Sequence, residues 1–235
     1  MKPALILLAA ACVALPACAV APTVTTTDAG AGAGVTCTYR ITNRPAKAVD
    51  PPSGTGVPNA GTSTVVLHFA AGDVTVTLDR AGAPCAAHSF ESLAQQGFYN
   101  DTSCHRMGTG QYPFLQCGDP TGTGTGGPGY WFDDELAHVT GYPKGAVAMA
   151  NSGKNTNGSQ FFILYGDAPF KPDYTVFGHV DDKGVAVIAG LAAKSVGGAT
   201  AFSYPLIFLP FLSSAFVLTD TMPGPVRWFA ENQPV

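Results

Sequence analysis

Met149-Ala150-Asn151-Ser152-Gly153-Lys154-Asn155-Thr156-Asn157-Gly158-Ser159-Gln160-Phe161-Phe162 is a polar stretch clamped between two short apolar runs, Ala146–Ala150 and Phe161–Tyr165. Both runs are β-capable and too short for helices. Asn151 to Gly158 are residues that accept turn and left-handed conformations. The stretch therefore reads as strand, loop, strand. Because side chains alternate along a strand, adjacent Phe161 and Phe162 must face opposite sides, one into a core and one onto a surface or site.

A second block lies upstream. Cys104-His105-Arg106-Met107 is followed by Phe114-Leu115-Gln116-Cys117-Gly118-Asp119 and then by a glycine-rich run from Gly122 to Gly129. Val65–Phe69 and Val74–Leu78 alternate on either side of Ala71-Gly72-Asp73, a hairpin pattern. Pro84–Gln96 carries apolar residues at Phe90, Leu93 and Ala94, with Gly97 as a stop, and reads as a helix. Lys183–Lys194 has helical spacing at Val187, Ile188 and Leu191. Together with Tyr174–Val180, these blocks strongly resemble the cyclophilins, the peptidyl-prolyl isomerases, over roughly residues 63 to 194. The resemblance implies a mainly β fold, a closed eight-stranded barrel capped by two helices.

Rotation about an X-Pro bond is slow because it must break amide resonance, a barrier of about 18 to 20 kcal/mol. Lowering it needs no nucleophile, metal or nucleotide. It needs an apolar slot for the proline ring and a donor placed where the twisted nitrogen gains its lone pair. Arg106 suits that donor role, being always charged and carrying a planar fork of N–H groups. The resemblance assigns Arg106 and Gln116 to catalysis. It assigns Phe114, Ala150, Asn151, Gln160 and Phe162 to substrate binding, with Phe162 as the floor of the slot. The tryptophan many members place at the rim is absent from Gly166–Asp173, which leaves Phe170 as a wall substitute. Tyr174 stands where many members have histidine.

Other chemistries find little support. With 12 Lys+Arg against 16 Asp+Glu, net charge −4, and no basic cluster, nucleic acid is not an expected partner. Gly122 to Gly127 satisfies G-x-G-x-x-G, but Pro128-Gly129 follows where a helix is required, so the stretch reads as a loop. The five histidines lack metal-ligand spacing, no Cys-x-x-Cys occurs, and no cofactor is expected.

The N-terminus has a short positive region and an apolar run, Ala4–Leu15, shorter than a membrane span. It reads as an export leader over 1–21. Leu15-Pro16-Ala17-Cys18 resembles a lipobox with Cys18 as the acylated residue, while Ala19-Val20-Ala21 fits an ordinary signal peptidase. Membrane contact is expected only through that lipid anchor. Either cleavage leaves Cys37, Cys85, Cys104 and Cys117, which in an exported protein form a candidate disulfide set with three pairings; reduced, buried thiols are the other reading. The resemblance implies neighbouring strands for Cys104 and Cys117, which leaves Cys37 to reach Cys85.

Residues 22–62, poor in large side chains and rich in Pro, Gly and Ser, read as a flexible linker carrying the Cys37 segment. Residues 63–197 form the isomerase-like domain. At 198–235 the resemblance fails: Phe202–Leu218 is almost uniformly apolar and is broken by Pro205 and Pro210. Ala215–Thr219 supplies a closing strand, or the tail docks on a partner or membrane surface, or it reflects an altered reading frame. The expected function is that of an exported, monomeric folding assistant acting on proline-containing polypeptides. Its rival is a non-catalytic proline-peptide-binding module of the cell envelope.

Overall fold

A computed structural model of the chain describes residues 34–42 and 44–194 and the backbone of 211–218. The leader with Cys18, the first part of the linker and most of the tail lie outside the described residues. The strands are β1 (Arg40–Ile41), β2 (Thr62–Phe69), β3 (Gly72–Asp79), β4 (Thr102–Ser103), β5 (Arg106–Met107), β6 (Phe114–Cys117), β7 (Tyr130–Trp131), β8 (Ala146–Met149), β9 (Phe161–Leu164), β10 (Val176–Val180) and β11 (Phe211–Leu218). Two helices, α1 (Pro84–Gln95) and α2 (Asp182–Lys194), complete the set among the described residues.

Period-two alternation builds the sheet. In β2 the buried positions are Ser63, Val65, Leu67 and Phe69; in β3 they are Val74, Val76 and Leu78. The hairpin turn falls at Ala70-Ala71, one residue earlier than the sequence pattern suggests, since Phe69 pairs directly with Gly72. Gly72 has φ +132°, a conformation that L side chains rarely adopt.

Helix α1 opens on a proline at its first turn, where a missing N–H costs nothing. It lacks a side-chain cap from its own N-cap residue, Ala83. The Glu135 carboxylate fills that role from a distant loop, accepting the N–H groups of Cys85 at 3.0 Å and Ala86 at 2.9 Å. Its apolar face, Ala86, Phe90, Leu93 and Ala94, turns inward, and Gly97 at φ +66° follows its end. Phe90 meets Tyr99, Phe161 and Phe177 with ring centroids 5.0 to 5.1 Å away. Each fully buried ring of this kind contributes about 2 to 3 kcal/mol.

Among the described residues the main sheet has nine strands in the order β4-β11-β2-β3-β10-β8-β9-β6-β5. Two of the nine, at the edges, are only two residues long, which leaves seven substantial strands in a curled half-barrel. Among the described residues β4 and β5 end the ladder and are not paired with each other, so a mainly β sheet with two helices is seen and closure into the expected eight-stranded barrel is not. The edges β4 and β5 are consecutive in the chain, separated only by Cys104 and His105, yet they do not pair. Cys104 is bonded to Cys117 on β6, and the His105 N–H donates to the Gln116 carbonyl at 3.1 Å, so the segment crosses the gap instead of running along it. From the apolar tail, β11 enters between β2 and β4, antiparallel to both.

The N-terminal segment also joins the fold. Strand β1 pairs with β7 in a separate two-stranded ribbon, Cys37 is bonded to Cys85, and the Tyr39 hydroxyl donates to the Cys85 carbonyl at 2.9 Å. Val57 is buried, and Lys47 Nζ donates to the carbonyls of Gly97 and Asn100. No helix among the described residues is long and apolar enough to cross a membrane.

Candidate active site

Register across β5, β6, β9 and β8 aligns one row of side chains. Arg106 stands opposite Gln116, Gln116 opposite Phe162, and Phe162 opposite Ala148. Directly paired residues share a sheet face, so this row points to one side while Leu115, Phe161 and Val147 point to the other, into the main core. Phe162 belongs instead to a smaller apolar cluster with Phe114, Tyr142 and Leu164.

That cluster walls a slot of about 110 Å³ lined by Arg106, Phe114, Gln116, Ala150, Asn151, Phe162, Phe170 and Tyr174. The Phe162 ring lies 5.8 Å from Phe114, 5.7 Å from Phe170 and 5.4 Å from Tyr174, all in edge-to-face or near-edge geometry. Arg106 overhangs the opening with its guanidinium carbon 5.0 Å from the Phe114 ring centre. Asn151 is fixed at the rim, donating from Nδ2 to the Asp173 carbonyl at 2.9 Å. The Ala150 N–H is taken by the Gln160 carbonyl at 2.9 Å and is not a donor to the slot that this residue lines.

A run of amides steadies the arginine. Arg106 Nη1 donates to Gln116 Oε1 at 3.4 Å, and Gln116 Nε2 donates to Gln160 Oε1 at 2.9 Å. Gln160 Nε2 then donates to the carbonyls of Gly124 and Gly126 at 2.9 and 3.0 Å. Gln160 is thus the one sequence-derived site residue outside the slot itself. It lines a second cavity of about 310 Å³ that shares Gln116, Ala150 and Asn151 with the first.

Asp119 shapes the glycine-rich loop. Its carboxylate accepts N–H groups from Thr121, Gly124 and Gly126 and the Thr121 hydroxyl, at 2.7 to 3.0 Å. Burial alone would raise its pKa, but these donors hold it below the usual carboxylate range. A Cβ at Gly126 would collide with that carboxylate, which is why a glycine is needed there. His105 sits beneath the loop with both ring nitrogens buried and without a hydrogen-bond partner. Burial lowers its pKa; the Asp119 charge pulls it back up, Arg106 lowers it again, and the Gln160 amide acts with Asp119 without reaching hydrogen-bond geometry. On balance, burial disfavours the charged form of His105 beside Arg106.

Sequence reasoning missed Tyr142. It is buried, its ring centroid is 5.7 Å from Phe170, and its hydroxyl donates to the Tyr174 carbonyl at 2.9 Å while accepting the Tyr174 N–H at 2.8 Å. A lone Tyr-Pro pair in an irregular segment carries no periodicity by which to find it. Among the described residues no group of His, Cys, Asp and Glu is arranged to hold a metal ion.

Comparison with known proteins bears on this arrangement. The family model for the cyclophilin type peptidyl-prolyl cis-trans isomerases matches residues 64–207. A probable peptidyl-prolyl cis-trans isomerase B of Mycobacterium leprae is 41% identical over 177 residues, 69% of this chain and 60% of that protein. Its namesake in Mycobacterium tuberculosis is 44% identical over 140 residues, 54% and 46% of the two chains. The chain thus spans about half the length of these relatives. A crystal structure of a Cryptosporidium parvum cyclophilin type isomerase superposes with TM-score 0.59 at 28% identity, covering 68% of this chain and 99% of that one. The same enzyme solved in the presence of the dipeptide Ala-Pro superposes with TM-score 0.57.

Proposed function

The chain belongs to the cyclophilin-type peptidyl-prolyl cis-trans isomerase family, and from that premise we propose that it accelerates rotation about X-Pro bonds in extended polypeptides outside the cytoplasm. One observation carries the proposal: an always-charged guanidinium is held by a glutamine at the mouth of an apolar slot sized for a small ring. Proline's ring enters between Phe114, Phe162, Phe170 and Tyr174, where water is excluded and the amide is free to twist. Arg106 donates to the prolyl nitrogen as its lone pair localises, a bond that strengthens only in the twisted state. Gln116 and Gln160 keep the fork aimed, and Ala150 and Asn151 border the peptide's path. That a relative was solved in the presence of the dipeptide Ala-Pro supports a proline-containing ligand for this chain.

The disulfides Cys37–Cys85 and Cys104–Cys117 support an oxidising, extracytoplasmic location. Export through the leader at 1–21 accords with them, and the mass of the mature N-terminus separates lipidation at Cys18 from plain secretion. The protein acts as a monomeric folding assistant. Nothing in the site favours binding without turnover. The test is direct: the mature protein should accelerate cis-to-trans relaxation of an Ala-Pro tetrapeptide by about 10³-fold or more at saturation, a barrier reduction of roughly 4 to 5 kcal/mol. Relaxation at the solvent rate across several X-Pro peptides would overturn the assignment.

A further inference from the structure

The N-terminal segment lies outside the stretch that matches the family, yet it reaches the site. The Thr42 N–H donates to the Gly129 carbonyl at 2.9 Å and the Ala46 N–H to the Gly127 carbonyl at 2.8 Å. Those two glycines belong to the loop whose Gly124 and Gly126 carbonyls hold Gln160. The segment is itself anchored at three places. Cys37 is bonded to Cys85 on α1; Arg40 pairs with Asp133 at 2.8 Å and donates to the Asn155 carbonyl at 3.0 Å; Lys47 is tied to the turn after α1. An unbroken series of bonds thus runs from a disulfide on α1 through the segment, the glycine-rich loop, Gln160 and Gln116 to Arg106.

From this we infer that residues 35–42 and 44–47 are a positioning arm for the isomerase site: clamped by Cys37–Cys85, they hold the glycine-rich loop against Gln160 and thereby aim Arg106. The inference rests on the isomerase reading above. The loop is short of side chains that would stiffen it, since Gly122, Gly124, Gly126, Gly127 and Gly129 all lie within it. Asp119 gathers its first half from within; the arm fixes its second half from outside. The aromatic walls of the slot, by contrast, stand on β6, β9 and the segment before β10; the series meets β6 only at the Gln116 side chain and makes no hydrogen bond to a wall ring. Release of the arm should therefore disturb the donor and spare the slot.

That asymmetry makes the arm testable in the full mature chain. A Cys37→Ser/Cys85→Ser double variant should lower kcat on an Ala-Pro tetrapeptide by roughly threefold to tenfold, as expected for a displaced catalytic group, and leave KM within about twofold. Ala46→Pro, which removes one N–H to the loop without touching the disulfide, should show the same split to a smaller degree. The side-chain amide resonances of Gln116 and Gln160 should move in both. A risen KM at unchanged kcat would make the segment a substrate wall and overturn the inference, as would full kcat in both variants. If the double variant melts below the assay temperature, Ala46→Pro decides alone. A wild-type protein without turnover would strike the isomerase reading instead.

Discussion

Replacing Arg106 by alanine separates catalysis from folding more cleanly than any other change in this site. Removing one preorganised donor from a water-excluded site costs about 2.7 to 4 kcal/mol of transition-state stabilisation. Arg106 is exposed and its bond to Gln116 is long, 3.4 Å, so water tempers the donor's strength. About 2 to 3 kcal/mol is then at stake, a fall in kcat of roughly 30- to 150-fold. The slot keeps its aromatic walls, so KM should move little. Folding loses the surface contact with Phe114, about 0.5 to 1 kcal/mol, and the long hydrogen bond to Gln116, about 0.5 kcal/mol, which lowers Tm by about 2 to 6 °C for a chain of this size. Arg106→Lys keeps the charge but not the planar fork and should recover only part of the loss. The assay is relaxation of an Ala-Pro tetrapeptide at low temperature, where the uncatalysed rate is slow, with thermal melts run in parallel. A folded alanine variant within about twofold of wild-type kcat would refute the donor role.

Phe162→Ala removes the ring that touches Phe114, Phe170 and Tyr174; it should raise KM at least tenfold while costing about 2 to 4 kcal/mol of stability, and an unchanged KM in the folded variant would remove Phe162 from the slot's floor. His105, held by burial below its usual value near 6.5, takes up protons less readily in the folded than in the unfolded chain; stability should therefore be level above about pH 6.5 and fall on acidification below it, because the unfolded chain binds more protons there. Asp119, held below the usual carboxylate range, stays ionised through that window. Denaturant midpoints at pH 7.5 and 5 should converge in His105→Gln relative to wild type, and an equal acid loss in both proteins would show that other groups carry it.

Local chemistry made some of this protein legible at once. The turn-rich stretch between Ala146–Met149 and Phe161–Leu164 could only join strands, and two adjacent phenylalanines on a strand had to part, Phe161 to the core and Phe162 to the slot. Both helices announced themselves by apolar spacing, with Pro84 opening one and Gly97 following its end. Residues that lie on one strand or in one turn obey short-range geometry, and sequence order suffices to read them. The pairing of Cys37 with Cys85, across 48 residues, came only through resemblance to a family, since four cysteines by themselves leave three pairings open.

Tyr142 reaches Phe170 and Tyr174 from an irregular segment, the tail supplies a strand between β2 and β4, and Thr42 and Ala46 grip a loop more than 80 residues onward. A tail strand was one of three readings the sequence offered, at Ala215–Thr219, but where it pairs, like the other two contacts, depends on where separate segments meet once the sheet has curled. The same holds for the two edges of the described sheet, β4 and β5, which are not paired. Whether two edge strands pair is set by the path of Cys104 and His105 between them and the bond to Cys117, a matter of three-dimensional packing and not of any residue's own preference. Alternation and turn chemistry thus determined the elements of this protein, while long-range packing decided how they surround Arg106.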